Sequence, residues 1–238
     1  MQNLPPEIVD IIFSYTDPET CIKNEQFHIL KKKFPYVTLN WAIKSGKLEV
    51  VKYFRETLHA DYTYHAIDYA ISAGHLEIIK YLYTEDPSKF NCSENAIDWA
   101  ASNGQLQLVR YLNEVVDLDC THTAIDWAAE NGHFEVVKYI WEKTYRICSE
   151  DAIDYAAKNG HFDIVKYLYE AEMDYTIRAA DWAIEFGHLD IVKYLCRPGN
   201  CGYTDDAVKA AQTNGHHKVV EYLHTIEALH PPCSLESF

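Results

Sequence analysis

Two kinds of short apolar stripe alternate along most of the chain, and both have the three-to-four-residue spacing of an amphipathic helix. Residues 124–131, AIDWAAEN, illustrate the first kind. Residues 133–140, HFEVVKYI, illustrate the second, in which Phe134, Val137 and Ile140 share one face. A glycine stands between the two stripes, at a position where glycine commonly ends a helix. The pattern predicts a hairpin of two short helices.

This hairpin recurs with a period of about 28 residues. Seven of the nine glycines are spaced by 28, 30, 28, 28, 27 and 28 residues, and a tyrosine follows each of them after seven positions. A hairpin of this size cannot bury its apolar face alone, so stacked neighbours must cover it. The sequence therefore predicts a solenoid of about seven repeats. The repeat glycines are Gly46, Gly74, Gly104, Gly132, Gly160, Gly187 and Gly215.

A serine or threonine precedes six of these glycines by eleven positions. Its side-chain oxygen can accept a hydrogen bond from a free amide in the first turn of the first helix. We therefore expect these residues to cap helix one of each hairpin. The predicted caps are Thr63, Ser93, Thr121, Ser149, Thr176 and Thr204.

Charge and composition exclude several classes of protein. The 238 residues include 21 Lys and Arg against 36 Asp and Glu, and the formal net charge of −15 repels nucleic-acid phosphates. Apolar residues make up 48% of the chain, enough for a buried core. No apolar run is long enough to cross a membrane and no secretory leader is recognisable. We therefore expect a cytoplasmic protein whose seven cysteines are reduced.

Residues 123–137, TAIDWAAENGHFEVV, resemble the ankyrin repeat, whose motif is TPLHxAA followed by xNGHLEVV. The resemblance recurs seven times across residues 36–230. It implies an all-α solenoid of ankyrin-type helical hairpins over residues 35–230, followed by a tail at residues 231–238. The AIDWA variant, with Asp where the motif has His, is similar to ankyrin arrays of giant viruses and protists. Because 28 residues leave only about five between hairpins, the finger should be reduced to a turn.

The resemblance also implies a function. We expect a non-enzymatic, monomeric scaffold that binds a protein partner without cofactor or metal, in the host cytoplasm if the source is viral. With the fingers shortened, recognition should fall on helix one of each hairpin, at positions that vary from repeat to repeat. The predicted partner-binding residues are Tyr36, Tyr64, Glu94, His122, Glu130, Glu150, Lys158, Ile177, Glu185 and Phe186.

Four repeats carry an Asp and a His seven residues apart, a combination that suits acid and base catalysis. An active site does not need four copies, so we interpret the pairs as hydrogen bonding at helix ends and between repeats, and predict no catalytic residue. Cys92, Cys120 and Cys148 share a column with tyrosines, which indicates packing rather than metal binding or disulfides. The Asp and His pairs are Asp68 with His75, Asp126 with His133, Asp154 with His161 and Asp181 with His188.

An aromatic residue stands five positions before each of the first six repeat glycines. Such a column could stack on nucleic-acid bases. It takes the place of the buried leucine of the ankyrin motif, however, so we interpret it as core between repeats. The column consists of Trp41, Tyr69, Trp99, Trp127, Tyr155 and Trp182.

Residues 1–34 lie outside the repeat and carry a further motif. Residues 4–18, LPPEIVDIIFSYTDP, are similar to the start of an F-box, the module that docks on the Skp adaptor of ubiquitin ligases. This alternative makes the protein a substrate-recognition subunit whose Leu4, Pro5 and Ile8 bind the adaptor. The later VCKxW part of the F-box pattern is missing, so we favour an amphipathic helix that caps the first repeat.

Overall fold

The computed structural model describes residues 38–143, 149, 151–197 and 202–229, and these ranges contain fourteen α-helices and no β-strand. The predicted all-α class is therefore confirmed. The helices are α1 (Leu39–Lys44), α2 (Leu48–Glu56), α3 (Tyr64–Ser72), α4 (Leu76–Glu85), α5 (Ala96–Ser102), α6 (Leu106–Glu114), α7 (His122–Glu130), α8 (Phe134–Lys143), α9 (Asp151–Lys158), α10 (Phe162–Glu170), α11 (Ile177–Glu185), α12 (Leu189–Leu195), α13 (Asp205–Thr213) and α14 (His217–Leu229).

Several predictions fall outside the described residues. They concern the cap or F-box segment at residues 1–34, the tail at residues 231–238 and five individual residues. All of them stay predictions. The five residues are Leu4, Pro5, Ile8, Tyr36 and Glu150.

The chain divides into two compact units, residues 1–96 and residues 97–238. In the described part of the first unit, α1 packs against α3, α2 packs against α4, and each hairpin pairs its own two helices. In the second unit, α7, α9, α11 and α13 pack in succession, and so do α6, α8, α10, α12 and α14. Within each unit, helix one therefore contacts helix one of the next hairpin, and helix two contacts helix two, as the repeat predicts.

Pairs of small or branched apolar residues form the core. In the hairpin of α7 and α8, Ala124 and Ile125 of helix one and Val136 and Val137 of helix two are at most 1% exposed. The same columns are buried in the four other hairpins between the first and the last, and partly buried in those two. Alanines on helix one let neighbouring helices approach closely, so each hairpin buries its apolar face against the next.

The turn inside each hairpin requires glycine. All seven repeat glycines have φ between +70° and +80°, a left-handed conformation that is costly for a residue with a Cβ atom. After Gly132, the amide of His133 donates to the carbonyl oxygen of Ala128 at 2.9 Å and so pairs a carbonyl at the end of α7. The glycine column fixes where helix one ends and helix two begins.

Side-chain caps begin most of the first helices. The Thr121 hydroxyl accepts from the Thr123 amide at 3.2 Å, and Ser149, Thr176 and Thr204 cap their helices in the same way. The capping prediction is wrong at Thr63 and Ser93, whose hydroxyls make no cap bond within the described residues. At Thr63 the equivalent of the joint aspartate is Asn40, whose amide oxygen accepts from the Thr63 amide at 3.1 Å.

The connections between hairpins contain turns and extended segments but no β-hairpin in the part of the chain that is described. Four of them are described completely, at residues 57–63, 86–95, 115–121 and 171–176. They contain seven, ten, seven and six residues, against the five predicted, and each begins with or contains a turn after helix two. The prediction of a shortened finger is confirmed at these four places.

Candidate partner-binding surface

In five hairpins an aspartate, buried in four of them, joins the hairpin to the next one. Asp98 is fully buried, and its carboxylate accepts from the Thr121 amide at 3.0 Å, the Thr121 hydroxyl at 2.6 Å and the Thr123 hydroxyl at 2.9 Å. These bonds compensate the carboxylate for the water it has lost. Equivalent joints pair Asp68 with Ser93, Asp126 with Ser149, Asp154 with Thr176 and Asp181 with Thr204.

The histidine that follows the glycine binds in the opposite direction. Nε2 of His133 lies 3.1 Å from the carbonyl oxygen of Ser102 in the preceding hairpin. His75, His161 and His188 make the same contact with the preceding hairpin. The Asp and the His of one hairpin therefore bind different neighbours. Their interpretation as hydrogen bonding between repeats is confirmed, and they do not form acid and base pairs.

Burial weakens the acidity of two joint carboxylates. It raises the pKa of Asp126 to about 6, although the Ser149 hydroxyl, which donates at 2.8 Å, lowers the same pKa. Burial also raises the pKa of Asp154, against two hydrogen bonds from Thr176. Both carboxylates lie inside a joint between hairpins, so these shifts make the stability of the fold depend on pH.

The aromatic column is not core, contrary to the prediction. Tyr69 is 58% exposed, and the other five members are partly exposed. The reason is that Ala, Ile and Asp side chains already fill the stripe of helix one that faces the neighbouring hairpins, and the ring lies at its margin. Each of the first six hairpins therefore presents one accessible aromatic ring. The partly exposed rings are Trp41, Trp99, Trp127, Tyr155 and Trp182.

Rings of this column interact with their neighbours along the surface. The rings of Tyr155 and Trp182 stack with centroids 5.9 Å apart and planes 12° apart. Nζ of Lys158 lies 5.3 Å from the centroid of the Trp182 ring, and Nζ of Lys44 lies 4.0 Å from that of Tyr69. These cation–π contacts were not predicted. The sequence pattern that could have predicted them is a lysine two residues before a repeat glycine, together with the column aromatic residue of the next hairpin.

Every predicted partner-binding residue within the described ranges has an accessible side chain. The large apolar side chains of Tyr64, Ile177 and Phe186 are 48%, 51% and 44% exposed. That they contact a partner stays a prediction. Exposed are Tyr64, Glu94, His122, Ile177 and Phe186, and partly exposed are Glu130, Lys158 and Glu185.

The described residues contain no group of three or more His, Cys, Asp or Glu side chains arranged to hold a metal ion. Cys92 is half-buried, and burial raises the pKa of its thiol to about 11, which fits a packing role. Its repeat equivalent Cys148 lies outside the described ranges. No helix in those ranges is long and apolar enough to span a lipid bilayer.

Stacked two-helix hairpins, joined through buried side-chain hydrogen bonds, define a helical-repeat protein of the solenoid class. The chain belongs to the ankyrin-repeat family. A family model described as ankyrin repeats in many copies matches residues 39–83, 67–112, 97–141 and 125–169, and one described as three ankyrin copies matches residues 153–230. A comparison with curated proteins found no match. Ankyrin repeats are general protein–protein interaction modules, so protein binding is the broad function of the array.

Proposed function

We propose that this protein is a non-enzymatic scaffold that binds a protein partner through the exposed face of helix one. The observation that carries the proposal is the placement of apolar surface. Six large apolar side chains are exposed in the described ranges, and four of them, Tyr64, Tyr69, Ile177 and Phe186, lie on or directly after helix one. Exposed aromatic and aliphatic side chains of this size are typical anchors of protein interfaces.

The interior chemistry supports the same proposal. The Asp and His columns are occupied by hydrogen bonds between hairpins, so they are not available to a substrate. The core columns are alike in the central hairpins, whereas the exposed positions vary, which suits recognition of one irregular partner surface. In the proposed role the protein is a monomer of the cytoplasm, or of the host cytoplasm if the source is a virus.

Photo-crosslinking tests the proposed face. Benzoylphenylalanine replaces Tyr64 or Phe186 in the full chain, and exposed Lys138 of helix two in the control. A partner first identified by affinity purification should then crosslink from the two helix-one positions and not from Lys138. A purified partner that binds equally well after simultaneous change of Tyr64, Glu94, Glu130 and Phe186 to alanine would show that another face is used.

The F-box resemblance of residues 4–18 supports a second candidate function. In that role the array holds a target protein while Leu4, Pro5 and Ile8 bind a Skp-type adaptor of a ubiquitin ligase. Co-purification of the intact chain with the adaptor, lost when Leu4 and Pro5 are changed to alanine, would favour this function. Deletion of residues 1–34 that lowers the melting temperature of the array, without any adaptor binding by the intact chain, would favour the cap instead.

A further inference from the structure

Two hairpins place their own lysine on the aromatic ring of the following hairpin. Lys44, the last residue of α1, lies over Tyr69, and Lys158, the last residue of α9, lies over Trp182. Both lysines stand two residues before a repeat glycine. An ammonium group within about 6 Å of a ring centroid is attracted by the ring's electron-rich face. The column thus contains two rings whose cation-binding position is already filled from within the chain.

In four hairpins the backbone carbonyl two residues before the repeat glycine is held in the same way. The histidine of the next hairpin lies within hydrogen-bond distance of that carbonyl oxygen, at 3.1 Å for Lys44 and 2.9 Å for Lys158. Ser102 occupies the same position before Trp127, and His133 lies 3.1 Å from its carbonyl oxygen. The Ser102 side chain therefore starts from the same place as the two lysines, but it is too short to bring any group over the ring.

Within the described ranges, the cation-binding position at Trp127 is consequently not filled by a lysine or arginine of the chain. No Lys or Arg side chain of the described ranges lies over this ring, which is partly exposed. Glu130 follows Trp127 by three residues, so its carboxylate lies on the same side of α7. The uncharged Asn131 donates its side-chain amide to the Ser102 hydroxyl at 3.3 Å and to the Trp127 carbonyl oxygen at 2.9 Å.

Charge decides which partner group suits this position. The formal net charge of −15 attracts basic segments and repels acidic ones. A partly exposed indole with a carboxylate on the same side of its helix is chemically complementary to a primary ammonium or a guanidinium group. The two lysines that lie on Tyr69 and Trp182 show the cation–ring part of this pairing inside the chain.

We infer that Trp127 and Glu130 form a binding site for a lysine or arginine side chain of a basic segment in the partner protein. The inference rests on the proposed function and names the chemistry of the partner at one hairpin. The partner's cation lies over the Trp127 ring, in the place that Lys158 takes over Trp182, and pairs with Glu130.

The test follows the indole N–H resonances of the full chain by NMR while acetyl-hexalysine amide is added. The Trp127 resonance, assigned from its loss in Trp127→Phe, should shift with peptide concentration. The Trp182 resonance is the internal control, because Lys158 and Arg178 already lie over that ring, and it should shift much less. Acetyl-hexaglutamate amide should shift neither resonance.

Ser102→Lys is the decisive variant, since it should place an internal ammonium over Trp127. In this variant the Trp127 resonance should change before any peptide is added and then no longer respond to it. Thr213→Lys adds the same charge at the same repeat position, with no aromatic ring of the column after it in the described ranges, and should leave the response intact. Glu130→Gln should weaken the peptide's effect at Trp127 about two- to fivefold, the range expected for one exposed ion pair.

Two results would overturn the inference. One is an unchanged Trp127 resonance at peptide concentrations that shift Trp182, and the other is an equal response in Ser102→Lys and the unmodified chain. Spectra of both lysine variants must first show the dispersion of the folded protein, and Glu130→Gln decides the question if Ser102→Lys fails to fold. If the identified partner still crosslinks to helix one while hexalysine leaves Trp127 unchanged, this inference fails and the proposed function stands.

Discussion

Replacement of Gly132 by alanine should destabilise the array for two separable reasons. Gly132 has a φ of +78°, in the left-handed region that a residue with a Cβ atom rarely adopts. A Cβ atom here would also lie 2.5 Å from Cε1 of His161, the histidine of the next hairpin. That ring would have to move, although its Nε2 lies 3.0 Å from the carbonyl oxygen of Glu130.

The expected magnitude follows from these two effects. The left-handed backbone costs about 1 to 2 kcal/mol in an alanine. Displacing the imidazole loses a hydrogen bond and leaves a partly buried carbonyl unpaired, for about another 1 to 2 kcal/mol. We therefore expect Gly132→Ala to lower the free energy of unfolding by about 2 to 4 kcal/mol. Gly215→Ala should lose only the first part, because Gly215 has the same φ of +78° and no neighbouring atom within 4 Å.

Urea titration followed by circular dichroism measures these losses, and a double-mutant cycle with His161→Ala separates them. With His161 removed, Gly132→Ala should lose only the backbone part, which leaves a coupling energy of about 1 to 2 kcal/mol. A coupling energy near zero would refute the argument, because it would mean that the ring and the glycine do not depend on each other. The cycle is a stricter test than Gly215 alone, since terminal hairpins of repeat proteins unfold locally.

Three further perturbations have defined outcomes. Asp117→Gly should raise the free energy of unfolding by about 0.5 to 1 kcal/mol, because Asp117 has a φ of +65°. As a control, Asp119→Gly changes an exposed residue of the same connection that has no positive φ, and it should lower the free energy of unfolding. A lower free energy of unfolding in both variants would contradict this reasoning. Burial raises the pKa of Asp126 to about 6, above about 3.9 in the unfolded chain, so the stability that this group contributes is present at low pH and is lost as the pH rises from about 4 to about 6. The free energy of unfolding of Asp126→Asn, measured relative to the unmodified protein by urea titration, should therefore rise by up to about 3 kcal/mol from pH 4 to pH 7. A difference that stays constant with pH would place the Asp126 pKa near its usual range. Trp127→Ala should lower the free energy of unfolding by about 1 to 2 kcal/mol, rather than by the roughly 3 to 5 kcal/mol expected for a core tryptophan, because the ring is partly exposed. A loss above about 3 kcal/mol would show that Trp127 is a core residue.

The sequence by itself determined the repeat and its secondary structure. The glycine column predicts each turn because a left-handed residue needs glycine, and Gly132 and its six equivalents all have positive φ. Apolar periodicity predicts both helices, and the size of each apolar face predicts stacking. Repetition itself indicated a structural role for the Asp and His columns, whose hydrogen bonds hold neighbouring hairpins together.

Only the tertiary structure decided what lies at the surface of helix one. The pattern could not place Trp127, because a ring five residues before the glycine suits either a buried or an exposed position. Its exposure depends on how closely neighbouring helices approach, and the alanines between them leave no room for a ring. The lysine contacts of Tyr69 and Trp182 and the raised pKa of Asp126 likewise depend on side chains of a neighbouring hairpin. The geometry of these contacts is set by the packing between hairpins, which the periodicity of the sequence does not specify.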